Sequence, residues 1–158
     1  MDNSSKERLV AAALALRALH RALVERARRG LERDRHAVLG AGEWLQLLTA
    51  DPQFAWLRSL SELIVDLDVF LEADPAPADD DAAAVRHEIE RLLAPPPAVG
   101  ASGFAERYWP YVHDDPHVAI AHGAVRQALD RLPQPKDVDE ADALHARHRW
   151  AEARRHRT

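Results

Sequence analysis

A histidine at a position where helical spacing calls for a large apolar side chain is a chemical signal, and this sequence has two. His20 falls in the series Leu9, Ala13, Leu16, His20, Leu23, Ala27, and His122 stands between Val118 and Val125 on the way to Leu129. Both series follow the spacing of one helical face. A buried imidazole needs hydrogen-bond partners or a ligand. Two such histidines on facing helices could hold a metal, a haem iron or a small molecule through their neutral nitrogens. The plainer alternative for each is a packed, hydrogen-bonded core histidine. His20 and His122 are the candidate ligand-binding residues, and no catalytic residue is assigned.

Other groupings carry weaker chemistry. His113, Asp114, Asp115 and His117 crowd a helix start and could take a divalent ion, although Asp115 is explained more simply as a helix cap. Asp142, His145 and His148 share one face of the last helical segment. Glu62 and Asp66 could be paired carboxylates for acid–base work, but their spacing puts them on the polar side of an amphipathic helix. Ser59 and Ser61 have no partner base that the sequence identifies. The Glu-x-x-His pairs of di-iron bundles, the His-Glu-x-x-His zinc motif, the Gly-x-Ser-x-Gly elbow and the glycine loops of phosphate and dinucleotide sites are all absent. The chain has no cysteine, which removes thiolate metal sites, disulfides and cysteine nucleophiles together.

The elements that must position these residues read as helices throughout. Residues 5–35 form a long first helix, in which Gly30 is expected to bend or end the run. A break at Gly40-Ala41-Gly42 precedes a short apolar helix from Glu43 to Ala50. Asp51-Pro52 is a strong start signal, with Asp as the cap and Pro in the first turn. A helix from Pro52 to Ala73 then carries Trp56, Leu60, Leu63, Leu67 and Phe70 on one stripe, widened by Leu57, Ile64 and Leu71. Arg58, Glu62 and Asp66 fall on its wet side. Asp79, Asp80 and Asp81 open another helix running to about Leu93, stopped by Pro95-Pro96-Pro97. A short aromatic helix from Phe104 to His113 contains Pro110, which should kink or end it. Asp115-Pro116 repeats the start signal for a helix to Leu132, and a polar helix follows from about Asp139 to Arg155. No segment alternates as a strand would. The expected fold is all-α, an irregular bundle of about four long helices with short connecting helices, over residues 1–133, followed by a polar, basic helical arm over 134–158.

The 158 residues suit one domain and bury enough surface to fold without metal or disulfide. The net charge of −5 argues against a dedicated nucleic-acid binder. That charge is uneven: Glu62 to Glu90 holds ten acids and a single base, Arg86, whereas His145 to Thr158 holds five Arg and one Glu. The basic arm is therefore expected to dock on acidic protein surface, its own or a second copy's. The start of the chain lacks a signal-peptide pattern and no stretch is long enough to span a bilayer, so a cytoplasmic location is expected. Trp44, Phe54, Trp56, Phe104, Tyr108, Trp109 and Tyr111 gather at short helices and helix starts, as core closing one end of the bundle or as anchors of a groove.

The stretch from Asp51 to Asp68, DPQFAWLRSLSELIVDLD, resembles the central segment of an uncharacterised family of small bacterial helical proteins. Leu19-His20-Arg21-Ala22-Leu23 and Ala121-His122-Gly123-Ala124-Val125-Arg126 are similar to its flanking segments. The resemblance covers roughly residues 15–132. It implies one cytoplasmic helical domain and adds no catalytic residue. The functional expectation is a non-enzymatic helical interaction module, homodimeric or bound to a protein partner. A haem, metal or small-molecule-binding bundle using His20 and His122 is the alternative, and an enzyme without a recognisable motif is the third reading.

Overall fold

The computed structural model describes residues 2–72, 77–96, 103–134, 148 and 152. Within them the chain is all-α, with six α-helices, one 3₁₀ segment and no strand. The first helix, α1 (Asp2–Arg35), is 34 residues long, and the others are far shorter: α2 (Ala41–Ala50), α3 (Arg58–Leu71), α4 (Asp79–Leu92), α5 (Gly103–Asp114) and α6 (Pro116–Asp130). Helix length is thus concentrated in α1 rather than shared among four long helices.

The organising element is α1. Leu9, Leu16, Leu19 and Leu23 are fully buried along it, each worth roughly 2 kcal/mol relative to exposure. Around it pack α6, α3, α4 and the 3₁₀ segment. Directions follow from specific contacts. Asp115, just before α6, accepts from Arg29 of α1 at 2.8 Å. Leu132, just after α6, accepts from Arg86 of α4 at 2.8 Å, and Asp79 at the start of α4 accepts from Ser5 at the start of α1. Helix α6 therefore runs antiparallel to α1. So does α3, because Arg17 pairs with Asp68 while Val24 and Ser61 line one cleft.

Gly30 does not end α1, which continues to Arg35. Ala27 and Leu31 on either side of it are buried, and tertiary packing overrides the weak propensity of one glycine. A Cβ at Gly30 would come within 3.1 Å of the Arg26 guanidinium, so the missing side chain leaves that group its room. The helix ends at His36, whose φ of 54° is left-handed. The Ala37 N–H bonds to Glu32 O at 3.1 Å and the His36 N–H to Arg33 O at 3.3 Å, the paired bonds of a Schellman end. Leu39 is then pinned back on α1, its N–H on Glu32 and its carbonyl on Arg28.

Asp51 caps as the Asp-Pro pair implies, its carboxylate accepting from the Gln53 N–H at 3.0 Å. The next six residues, Pro52–Leu57, wind as 3₁₀ rather than α, and the expected single helix is split at Leu57. Asp66 is not on a wet side as its spacing suggested: it is 5% exposed. Helix α3 packs on both α1 and α4, so its buried stripe is wide enough to take in the edge position beside Leu67. Pro110 does not stop α5, which continues to Asp114. The carbonyl that Pro110 cannot bond belongs to Glu106, and both residues lie on the exposed side of a short helix. No helix among the described residues is long and apolar enough to cross a membrane. Most of the 134–158 arm, including Asp142 and His145, lies outside the described residues. His148 and Glu152 are described and approach to 3.3 Å.

Candidate functional site

His20 sits on the edge of the buried stripe of α1, half-buried. Two adjoining clefts open beside it. The larger, about 510 Å³, lies between α1 and α3 and is lined by Arg17, Arg21, Val24, Glu25, Ile64 and Val65 in addition to His20. The smaller, about 350 Å³, lies against α2 and the 3₁₀ segment, with Thr49, Phe54, Leu57 and Arg58 on its walls. His20, Leu48 and Ser61 line both. The larger cleft falls within the size range of small-molecule sites.

The imidazole of His20 makes no hydrogen bond among the described residues. Burial holds its pKa below the ordinary 6.5, so it is neutral at neutral pH and offers one N–H donor and one bare nitrogen to the clefts. Ser61, beside it, donates its hydroxyl proton to Arg58 O at 3.0 Å within its own helix. The Ser61 proton is thus directed away from His20, and the pair is not arranged as an activated nucleophile. Thr49 likewise donates to Leu45 O at 2.9 Å. Arg17 pairs with Asp68, whereas neither Arg21 nor Arg58 enters an ion pair among the described residues.

His122 has a different setting. On α6 it stands between the buried Val118 and Val125, as its spacing implied, and its Nδ1 lies 2.6 Å from the hydroxyl of Tyr108. Tyr108 is fully buried, and that burial raises its pKa far above the ordinary phenol value, so its hydroxyl is the donor. The bond places the His122 proton on Nε2. Burial first, and then the charge of Arg126, lower the His122 pKa. Trp109 and Tyr108 pack on the ring, with centroids at 5.1 and 5.7 Å. His122 lines neither of the clefts that His20 shares, and its Nδ1 is already committed.

The aromatic residues divide in the same way. Trp56, Phe104, Tyr108, Trp109 and Tyr111 form one connected group where the 3₁₀ segment meets α5. Trp44 and Phe54 stack edge-on at 5.0 Å beside the smaller cleft. Asp115 caps α6 by accepting from the His117 and Val118 N–H groups at 2.8 and 3.2 Å, and also holds Arg29 and Arg26. Burial pushes its carboxyl up, but those two N–H donors and the charges of Arg29 and His117 outweigh it and hold the carboxyl below its ordinary range. His113, Asp114 and His117 are exposed around it. No group of three or more His, Asp or Glu among the described residues could hold a metal ion.

Sequence reasoning anticipated the Asp115 cap. It missed Arg21, Leu48 and Arg58 as cleft residues and gave Ser61 no partner. No family model, curated protein or solved structure matches this chain.

Proposed function

We propose that the chain is a non-enzymatic helical binding module whose working site is the double cleft at His20. The observation that carries this reading is a half-buried, neutral imidazole at the seam of two clefts with no hydrogen bond among the described residues, in a bundle whose comparable histidine, His122, has its Nδ1 bonded to Tyr108. An unsatisfied polar group at the edge of a core is unfavourable unless water or a ligand completes it. In this reading His20 is the ligand-binding histidine and His122 holds α5 to α6. The test is native mass spectrometry of the protein purified from its own host. A retained small-molecule mass that disappears in His20→Ala and persists in His122→Gln is the expected result. Bare chain in every preparation, with no mass taken up from a metabolite extract, would overturn it.

A protein-partner reading is favoured by a separate observation. Val10 and Leu14, one turn apart on α1, are 38% and 57% exposed. As contacts between two copies they would be covered, and Leu14→Glu would then convert a homodimer to monomer in sedimentation equilibrium. A wild-type chain that is monomeric at all concentrations removes that reading.

A further inference from the structure

The two clefts differ in charge in a way that selects a ligand. In the larger one Arg17 is neutralised by Asp68, and Arg21 shares the wall with Glu25. Its remaining walls, Val24, Leu48, Ile64 and Val65, are apolar and suit a hydrocarbon body. In the smaller one Arg58 is the single charged residue. The hydroxyls of Thr49 and Ser61 have spent their protons on backbone carbonyls. The charged donor among the residues lining the smaller cleft is the Arg58 guanidinium, and the His20 imidazole on the same wall can supply a neutral N–H beside it. A group that only accepts hydrogen bonds and carries one negative charge fits that donor set. A dianion would find a single counter-charge, and an ammonium would face a guanidinium.

We propose that the double cleft takes a small monocarboxylate with an apolar tail, the carboxylate held by Arg58 and His20 and the tail lying across Leu48 toward Ile64 and Val65. This rests on the double cleft being the working site. Planar guanidinium and carboxylate match in a two-point bond, which gives Arg58 the larger share of the recognition. His20 adds a single neutral donor and fixes the orientation of the head. Arg21 lines only the larger cleft and has no part in holding the carboxylate.

The test is calorimetric titration of the full chain with octanoate, octanamide and octylammonium, which share one tail and differ in the head. Octanoate should bind about tenfold or more tightly than octanamide, the difference expected of a charge-assisted pair, and octylammonium should not bind. Arg58 is exposed, so Arg58→Gln leaves the core intact. That variant should abolish the preference for octanoate, while Arg21→Gln keeps it. Equal affinity for octanoate and octanamide, or a preference that survives Arg58→Gln, would overturn the carboxylate assignment and leave the cleft as a site for neutral ligands. If none of the three binds, the carboxylate proposal falls, and the cleft reading falls with it only if the chain also takes up no mass from a metabolite extract.

Discussion

Two histidines with the same sequence signature have opposite surroundings, and the difference has a common consequence for stability. Burial lowers both pKa values below the ordinary 6.5. In the window between the folded and unfolded values the unfolded chain binds more protons than the folded one, so stability rises with pH. The contribution is fully present above the unfolded value and is lost as pH falls toward the depressed folded values. The groups facing His20 from its clefts are Arg17, Arg21, Glu25 and Arg58, and those facing His122 are Tyr108 and Arg126. Urea midpoints measured at pH about 7 and about 5.5 should therefore drop on acidification. The drop should shrink in a His20→Gln, His122→Gln double variant, where glutamine can still accept from Tyr108. An equal drop in both proteins would remove the histidines as its source. That an imidazole interrupts an apolar series at both positions was legible from spacing alone. What satisfies each was not. Tyr108 reaches His122 from another helix, and the emptiness beside His20 depends on side chains contributed by α2 and α3.

At the scale of elements, charged residues within helices decide how the ends are held. Arg86 looked like a lone base in an acidic stretch, yet it is among the most buried charged residues of those described, 5% exposed. It donates to Leu132 O at 2.8 Å and to Glu90 at 2.8 Å, with Asp130 at 3.7 Å, and so ties the end of α6 to α4. Arg86→Met keeps most of the packing but strands the Leu132 carbonyl, and should lower stability by about 2 kcal/mol. A Met variant as stable as the wild type would show that desolvating the guanidinium cancels what its bonds return. At the other end of α6, Asp115→Ala removes a cap and two arginine contacts together and should destabilise by about 2 kcal/mol, whereas Asp115→Asn keeps the cap and should lose about half of that. Equal losses would mean that the ion pairs, not the cap, hold the helix start. The Asp-Pro signals at 51 and 115 were readable because capping is a local bond. The 3₁₀ winding of Pro52–Leu57, the buried Asp66 and the unbroken α5 were not readable, since each is set by what packs against or faces the element.

At the scale of the molecule, the double cleft joins segments that are distant in sequence: α1 near His20, the end of α2, the 3₁₀ segment and the first turns of α3. Only an all-α bundle could be read from the periodicities; which faces would meet imperfectly could not. The wall formed by α2 is the least embedded. Trp44 is its single buried residue, and no side chain caps its start. Its openings should therefore be the easiest in the described structure, and each one dismantles the cleft. A ligand bound there must leave before α2 can open, so it slows those openings by its own binding free energy, about 2.7 kcal/mol at a concentration a hundredfold above Kd. Hydrogen exchange with octanoate should accordingly slow at the amides of residues 41–57. Amides of α5 and α6 that exchange through local fraying should keep their rates, because such fraying leaves the cleft whole. Slowing confined to α5 and α6 would place the ligand near Tyr108 and His122 instead, and the two histidines would exchange the roles assigned to them.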